Sequence, residues 1–301
     1  MNTATDSQLG IGLHENIAPA IYHAFDACNN SSLNTLKAKS PLHCKWERDH
    51  PCEQTEAMRV GSALHTLVLE PDLFEVEWEC AGTCSAILKS GKNAGKPCGA
   101  AGRTSLAGAW FCGTHGEAWQ ADSAGDRTLT PDQWQLVTGM GASVHGNRDC
   151  KNALRAARSR EVTAIWQDGL TGILCKARFD ALGANAGIIV DIKTTTDASE
   201  DGFTRTIYDR GYHRQAAHYI AGAAALGVTI TDYILIAVEK EPPYAVSYNR
   251  LTDEAIECGA AELRPLIELY SHCSRANIWP GFGVREIGIP AWKKRQIENT
   301  F

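Results

Sequence analysis

An aspartate and a lysine two residues apart close the apolar run Ile188-Ile189-Val190-Asp191-Ile192-Lys193-Thr194-Thr195. In a strand, side chains alternate faces, so Asp191 and Lys193 share one side. A carboxylate and an ammonium at the end of a core strand are costly to bury unless they are paired or hold a metal. Asp180 ends the preceding run, Lys176-Ala177-Arg178-Phe179-Asp180, about a hairpin away, and Glu161 opens the run before it. Gln215 and Tyr219 follow at i, i+4, the spacing of one helix face. Upstream lies His65, in Gly61-Ser62-Ala63-Leu64-His65. Carboxylates converging from neighbouring strands make a hard-oxygen site suited to Mg2+ or Mn2+. A lysine beside such a site positions or deprotonates water and stabilises charge on a phosphate. Metal-assisted phosphodiester hydrolysis needs these parts. Taken alone, Asp-x-Lys reads as a surface ion pair and His65 as a satisfied core histidine. The set is what points to chemistry.

These residues need elements to hold them. Ile17, Ile21 and Phe25 mark a short helix to Cys28, and Ser31-Ser32 cap a second that Pro41 breaks. Thr55–Leu69 reads as a stronger helix ended by Pro71, with Gly61-Ser62-Ala63 permitting close backbone approach. Thr130 caps another helix with Pro131 at its first position, running towards Arg158 with a possible break over Gly139–Gly146. The period then switches to two. Glu161–Gln167, Gly172–Leu182 and Gly187–Lys193 read as an antiparallel meander turned by Asp168-Gly169 and Gly183-Ala184-Asn185. A helix over Tyr212–Leu226, strands over Tyr233–Val238 and Tyr244–Tyr248, and a long helix capped by Thr252 and reaching about Cys273 complete the pattern. Residues 1–15 are expected to fray, and the tail from Trp279 to pack as an irregular arm. The class is α+β, a mixed central sheet flanked by helices.

In order, Gly61-Ser62-Ala63-Leu64-His65-Thr66-Leu67-Val68-Leu69-Glu70-Pro71, Phe179-Asp180, Asp191-Ile192-Lys193-Thr194-Thr195 and Gln215-Ala216-Ala217-His218-Tyr219 resemble the PD-(D/E)XK nuclease superfamily. The closest branch resembles the RecE-type exonucleases (exodeoxyribonuclease VIII) and their phage relatives, over about residues 15–79 and 130–295. That resemblance implies a restriction-endonuclease-like core. It implies Asp180, Asp191, His65 and the Ile192 carbonyl as ligands of two catalytic Mg2+ (or Mn2+) ions, and Lys193 as the catalytic lysine. Glu161 is a further acid. Gln215 and Tyr219 match a Gln-x-x-x-Tyr motif near the DNA backbone. Arg178 and Arg214, with Lys176, Arg205 and Arg210, are candidate phosphate contacts. The implied activity is 5′ to 3′ hydrolysis of double-stranded DNA in phage or prophage recombination. The implied partner is a single-strand annealing protein, and related exonucleases form rings.

The cysteines divide by spacing. Cys28, Cys44, Cys52, Cys150, Cys175, Cys258 and Cys273 are scattered and read mostly as small buried apolar residues. Cys84, Cys98, Cys112 and His115 have the ligand types of a four-coordinate zinc site, with Cys80 a spare for Cys84. The pattern resembles small zinc modules. The surrounding segment is rich in Gly, Ala and Lys with little apolar periodicity, and needs a staple that a metal supplies. Four protein ligands leave no open position, which makes structural Zn2+ the expectation. Lys89, Lys92 and Lys96 lie nearby as possible DNA contacts. The implied organisation is an N-terminal helical part of the nuclease domain (1–79), a zinc-binding insertion (80–116), and the nuclease core with a C-terminal arm (117–301).

The 301 residues suit one large domain or one with an insertion. The net charge of −6 disfavours a general nucleic-acid coat protein but not a nuclease with an acidic site. No apolar run approaches the roughly 20 residues of a membrane span, and the N-terminus lacks a signal-peptide pattern. A cytoplasmic location is the default expectation. Two rival readings stand beside the exonuclease. One is a non-catalytic DNA-binding accessory protein. The other is a Cas4-like or RecB-like nuclease of different polarity, whose relatives often carry iron–sulfur cysteines.

Overall fold

The computed structural model describes residues 9–52, 54–88, 91–100, 102, 104–106, 109–112, 114–115, 122–123 and 127–299. Its frame is a six-stranded sheet in the order β1-β7-β8-β9-β10-β11. The strands are β1 (Gly12–His14), β7 (Ser159–Gln167), β8 (Leu174–Gly183), β9 (Ile188–Thr195), β10 (Asp232–Glu239) and β11 (Val246–Arg250). The expected meander is β7-β8-β9, antiparallel throughout. β10 then joins β9 in parallel, after a helical crossover, and the sheet is therefore mixed.

Alternation along β10 shows why the sheet lies mid-molecule. Tyr233, Leu235 and Ala237 feed one apolar core, and Ile234, Ile236 and Val238 the other. The first core also takes in α2 (Asn30–Ala38), the Tyr212–Ala225 helix and the long Asp253–Ala276 helix. The second takes in α4 (Glu56–Leu69), α5 (Pro71–Glu77), α6 (Pro131–Gly146) and α7 (Arg148–Ala156). A strand buried on both faces needs such a continuous apolar run.

Several expectations change. Residues 12–14 do not fray but add an edge strand to β7. Pro41 does more than end α2: it opens α3 (Pro41–Asp49), capped by Ser40, just as Pro71 opens α5. The first-turn position tolerates proline because its missing N–H has no helical partner. Asn29, not Ser31 or Ser32, caps α2. α6 carries a Thr130–Gln133 capping box and runs unbroken through Gly139 and Gly141. Gly61 has open space around it, whereas a Cβ on Gly141 would lie 2.5 Å from Leu67. The close α4–α6 approach therefore rests on Gly141. A further helix, α8 (Glu200–Arg210), precedes α9 (Tyr212–Ala225), with Gly211 turning between them at φ +73°. α10 (Asp253–Ala276) is the long capped helix, and the tail holds α11 (Ala291–Glu298).

Lys176 is not a phosphate contact. It is buried in β8, and its ammonium donates to the carbonyls of Tyr22 and Phe25 at 2.6 Å and of His23 at 3.3 Å. Those carbonyls lie at the end of α1 (Pro19–Ala24), where a helix leaves acceptors unpaired. Lys89 lies outside the described residues, as do residues 1–8 and most of 117–126. Residues 122–123 (β5) pair with β3 (Thr104–Leu106), which also pairs β4 (Ala109–Phe111). The inserted lobe thus reaches beyond residue 116, and β2 (Glu79–Cys80) with β6 (Thr128–Leu129) forms its base.

Asp168 fastens the β7–β8 turn. Its carboxylate accepts from Arg264 at 2.6 and 3.1 Å and from the Thr171 amide and hydroxyl. The Arg264 guanidinium, then Thr171, hold its carboxyl well below the usual carboxylate range. The folded state keeps the group ionised to lower pH than the unfolded chain does. Its contribution is therefore full above about pH 4 and is lost as pH falls through the lowered folded value. Asp168→Asn is expected to cost about 1–3 kcal/mol at pH 7 in urea unfolding. The deficit should shrink towards pH 2; a deficit independent of pH would contradict this assignment.

Candidate active site

β8 and β9 pair through Gly183–Ile188, Leu182–Ile189 and Ala181–Val190. The next facing pair in that register is Asp180 and Asp191, and there the ladder stops. β9 keeps its partner on the other side, since Asp191, Ile192 and Lys193 continue to pair with β10. Ile192 is left with a backbone amide that β8 no longer meets. The Asp180 carboxylate accepts it at 2.8 Å. The Ile192 carbonyl lies 3.0 Å from His65 Nε2. Side chains thus satisfy both backbone groups where the two strands part.

A carbonyl can only accept, so the 3.0 Å contact places the imidazole proton on Nε2. Burial holds His65 below its ordinary pKa, so the ring is neutral at pH 7. Its Nδ1 lone pair is then free and sits 3.5 Å from Asp180 Oδ2. Glu161 completes a group in which one ligand atom each from His65, Glu161 and Asp180 lies within 4.8 Å of the others. Glu161 takes φ +48°, a strained conformation for a residue with a side chain. Arg178 Nε lies 2.6 Å from its carboxylate. Burial, then the Asp180 charge, pushes Glu161 up against that pairing.

Asp191 is fully buried. Lys193 Nζ stands 2.5 Å from its Oδ2, and Gln215 Nε2 donates to its Oδ1 at 2.9 Å. Oδ2 receives no well-aligned hydrogen bond and has only the ammonium. Burial opposes the Lys193 charge, but Asp191 and Asp180 outweigh it and raise Lys193 above its ordinary value. It is an ammonium, suited to meeting negative charge rather than to taking a proton. Burial and the Asp191 charge push Asp180 up to about 8. Two carboxyl groups and one free imidazole nitrogen, with Asp191 on the adjoining strand, suit a hard divalent cation. The Ile192 carbonyl keeps a second lone pair for such an ion.

The structure therefore brings Asp180, Asp191, Lys193, His65, Glu161, Ile192, Gln215 and Arg178 together. Two expected DNA contacts are placed otherwise. Tyr219 is buried, its ring packed on Phe179 and its hydroxyl bonded to Gln215. It props Gln215 from within the core. Arg214 is buried and donates to Glu262 and Asn34, tying α9 to α10 and α2. One participant escaped notice: the Tyr212 ring lies 4.9 Å from Lys193 Nζ, a cation–π distance. Tyr212 precedes Gln215 by three residues, so extending the helix face one turn back would have found it.

A family model of PDDEXK-like domains of unknown function (DUF3799) matches residues 20–284. The chain belongs to that family. Among solved structures, a candidate exonuclease from Eubacterium rectale is similar with a TM-score of 0.52 at 12% identity, over 92% of this chain and 97% of that one. At such low identity the likeness shows a shared fold. No curated protein matches the chain significantly. The PDDEXK-like assignment accords with carboxylates presented where two sheet strands part. Among the described residues, no helix is long and apolar enough to cross a membrane.

The crowded carboxylates cost stability. Asp180 has a raised folded pKa, so the penalty grows once the unfolded chain ionises above about pH 4 and is complete above about 8. Asp180→Asn, measured by thermal unfolding in chelator, should raise the melting temperature by a few degrees, and by more at pH 9 than at pH 5. A lowered melting temperature at both pH values would refute this account of the site.

Proposed function

We propose that this chain is a metal-dependent exodeoxyribonuclease that hydrolyses phosphodiester bonds of double-stranded DNA, from 5′ to 3′ ends, with two Mg2+ (or Mn2+) ions. The observation that carries the reading is the joint presentation of Asp180, Asp191 and Lys193 where β8 and β9 part. His65 Nδ1, Glu161, Asp180, Asp191 and the Ile192 carbonyl are the groups that would hold the ions. Bound there, a divalent ion acidifies water and draws charge from the phosphate. Lys193 adds a fixed positive charge for the transition state to meet. Gln215 holds the Asp191 carboxylate in place, and Tyr212 lies against the ammonium. Arg178 offers a guanidinium beside Glu161 for a DNA phosphate.

The resemblance to RecE-type enzymes supports a phage or prophage recombination role, a single-strand annealing partner, a ring-shaped homo-oligomer and a cytoplasmic setting. The Cys84, Cys98, Cys112 and His115 group takes no part in this chemistry and is proposed to hold Zn2+ structurally.

End-labelled linear duplex should be degraded with Mg2+ while closed circular DNA survives, with the 5′ label released first. Lys193→Ala or Asp191→Ala should reduce the rate at least about 100-fold while circular dichroism stays unchanged. Undiminished digestion by either folded variant would sink the assignment. Equal attack on circles would replace the exonuclease with an endonuclease.

A further inference from the structure

Among its described residues, the inserted lobe buries few apolar side chains, Ala81 and Cys84. Neither core cluster includes any described residue between Glu79 and Thr128. Ile87 is more than half exposed, and Trp110 packs against two glycines: a Cβ on Gly82 would lie 2.5 Å from its ring and one on Gly102 2.8 Å from its Cβ. Yet the backbone is closely organised. The Cys84 and Cys98 amides donate to the carbonyls of Ala100 and Ala86, each at 2.7 Å, and Leu88 bonds Lys96 at 2.9 Å. This loop returns Cys98 beside Cys84. The Ser85 amide donates to the Trp110 carbonyl at 2.8 Å, which brings up Cys112, and His115 follows one turn later.

At the centre of these bonds, one ligand atom each of Cys84, Cys98, Cys112 and His115 lies within 4.8 Å of the others. His115 Nδ1 is 3.4 Å from Cys84 Sγ and 3.3 Å from Cys112 Sγ. A tetrahedron with Zn–S of about 2.3 Å and Zn–N of about 2.0 Å has edges of about 3.5–3.8 Å. The sulfurs also carry outer partners. Amides of Cys112 and Ala86 donate to Cys84 Sγ, and that of Ala100 to Cys98 Sγ. Such N–H···S bonds orient thiolates and spread their charge. Cys80 is exposed, with its thiol on the Ala81 carbonyl, and lies outside the group.

We propose that Cys84, Cys98, Cys112 and His115 form a closed Zn2+ site that holds the inserted lobe together, independently of the sheet domain. The inference deepens the structural-zinc reading and does not rest on nuclease activity. With so little apolar burial among the described residues, ordering them needs another source of free energy, and metal ligation is large enough to supply it. Soft thiolates with one imidazole select Zn2+ over Mg2+, and a full shell leaves no position for substrate.

The full chain, purified with reduced cysteines, should retain about one equivalent of zinc by atomic emission. Stripping it with phenanthroline, or Cys112→Ser, should remove the metal and open new proteolytic cleavages between residues 79 and 129. The main thermal transition should persist, and added Zn2+ should restore protection to the stripped wild type. Less than about half an equivalent of zinc, or bound iron with visible absorbance, would overturn the proposal. So would a lobe equally protease-resistant without metal, or a sheet domain that unfolds with it. DNA digestion enters none of these readouts, so failure of the exonuclease reading would leave them unaffected.

Discussion

The parting of β8 from β9 is the constraint on which the rest depends. An antiparallel ladder continued by one more pair would set Asp180 against Asp191 inside a buried sheet. Two carboxylates so placed repel each other without water to screen them. The strands separate instead, and the separation exposes one amide and one carbonyl of Ile192. Asp180 takes the first and His65 the second. The residues that could serve a metal are thus also the residues that repair the backbone. α4 must lie over this point to bring His65, and α9 must lie over the other face to bring Gln215. The two cores hold those helices against opposite faces of the sheet.

Charge is unevenly met in this gap. Three acids, Asp180, Glu161 and Asp191, face two fixed cations, Lys193 and Arg178. The raised value of Asp180 marks where the excess sits, because a proton there relieves it. In the proposed function a divalent cation takes over that relief. The strained backbone at Glu161 and the buried Asp191 oxygen met by the Lys193 ammonium alone point the same way. Local rules of strand geometry and polar satisfaction are broken together at one place, which is where function is expected.

Much of this was legible in the chain itself. Period-two runs gave β7–β10 to within a few residues, and the i, i+2 spacing of Asp191 and Lys193 put them on one side, where they pair. Helix caps at Thr130 and Thr252 are equally plain. Burial was the harder quantity. Lys176, Arg214 and Tyr219 have the side chains of DNA contacts, but tertiary packing turns them towards carbonyls, a carboxylate and an aromatic ring. Periodicity cannot say which cation finds an internal partner. Proline both ends one helix and opens the next, so Pro41 and Pro71 read as stops in the sequence and stand as helix starts in the fold. The short edge strand β1 has too few residues to show a period. Cys28, Cys44, Cys150, Cys175 and Cys273 are buried as expected, whereas Cys52 and Cys258 are exposed.

The central claim is that the gap between β8 and β9 is a divalent-cation site built from both strands. Crystals soaked in Mn2+ and examined by anomalous scattering test it most directly. The account predicts a peak at coordination distance from the Asp180 and Asp191 carboxylates, with His65 Nδ1 or Glu161 completing the shell. It also predicts that Lys193 moves away from Asp191 Oδ2 as the ion takes that oxygen. Fully soaked crystals with no peak in the gap, and the Lys193–Asp191 pair unchanged, would contradict it.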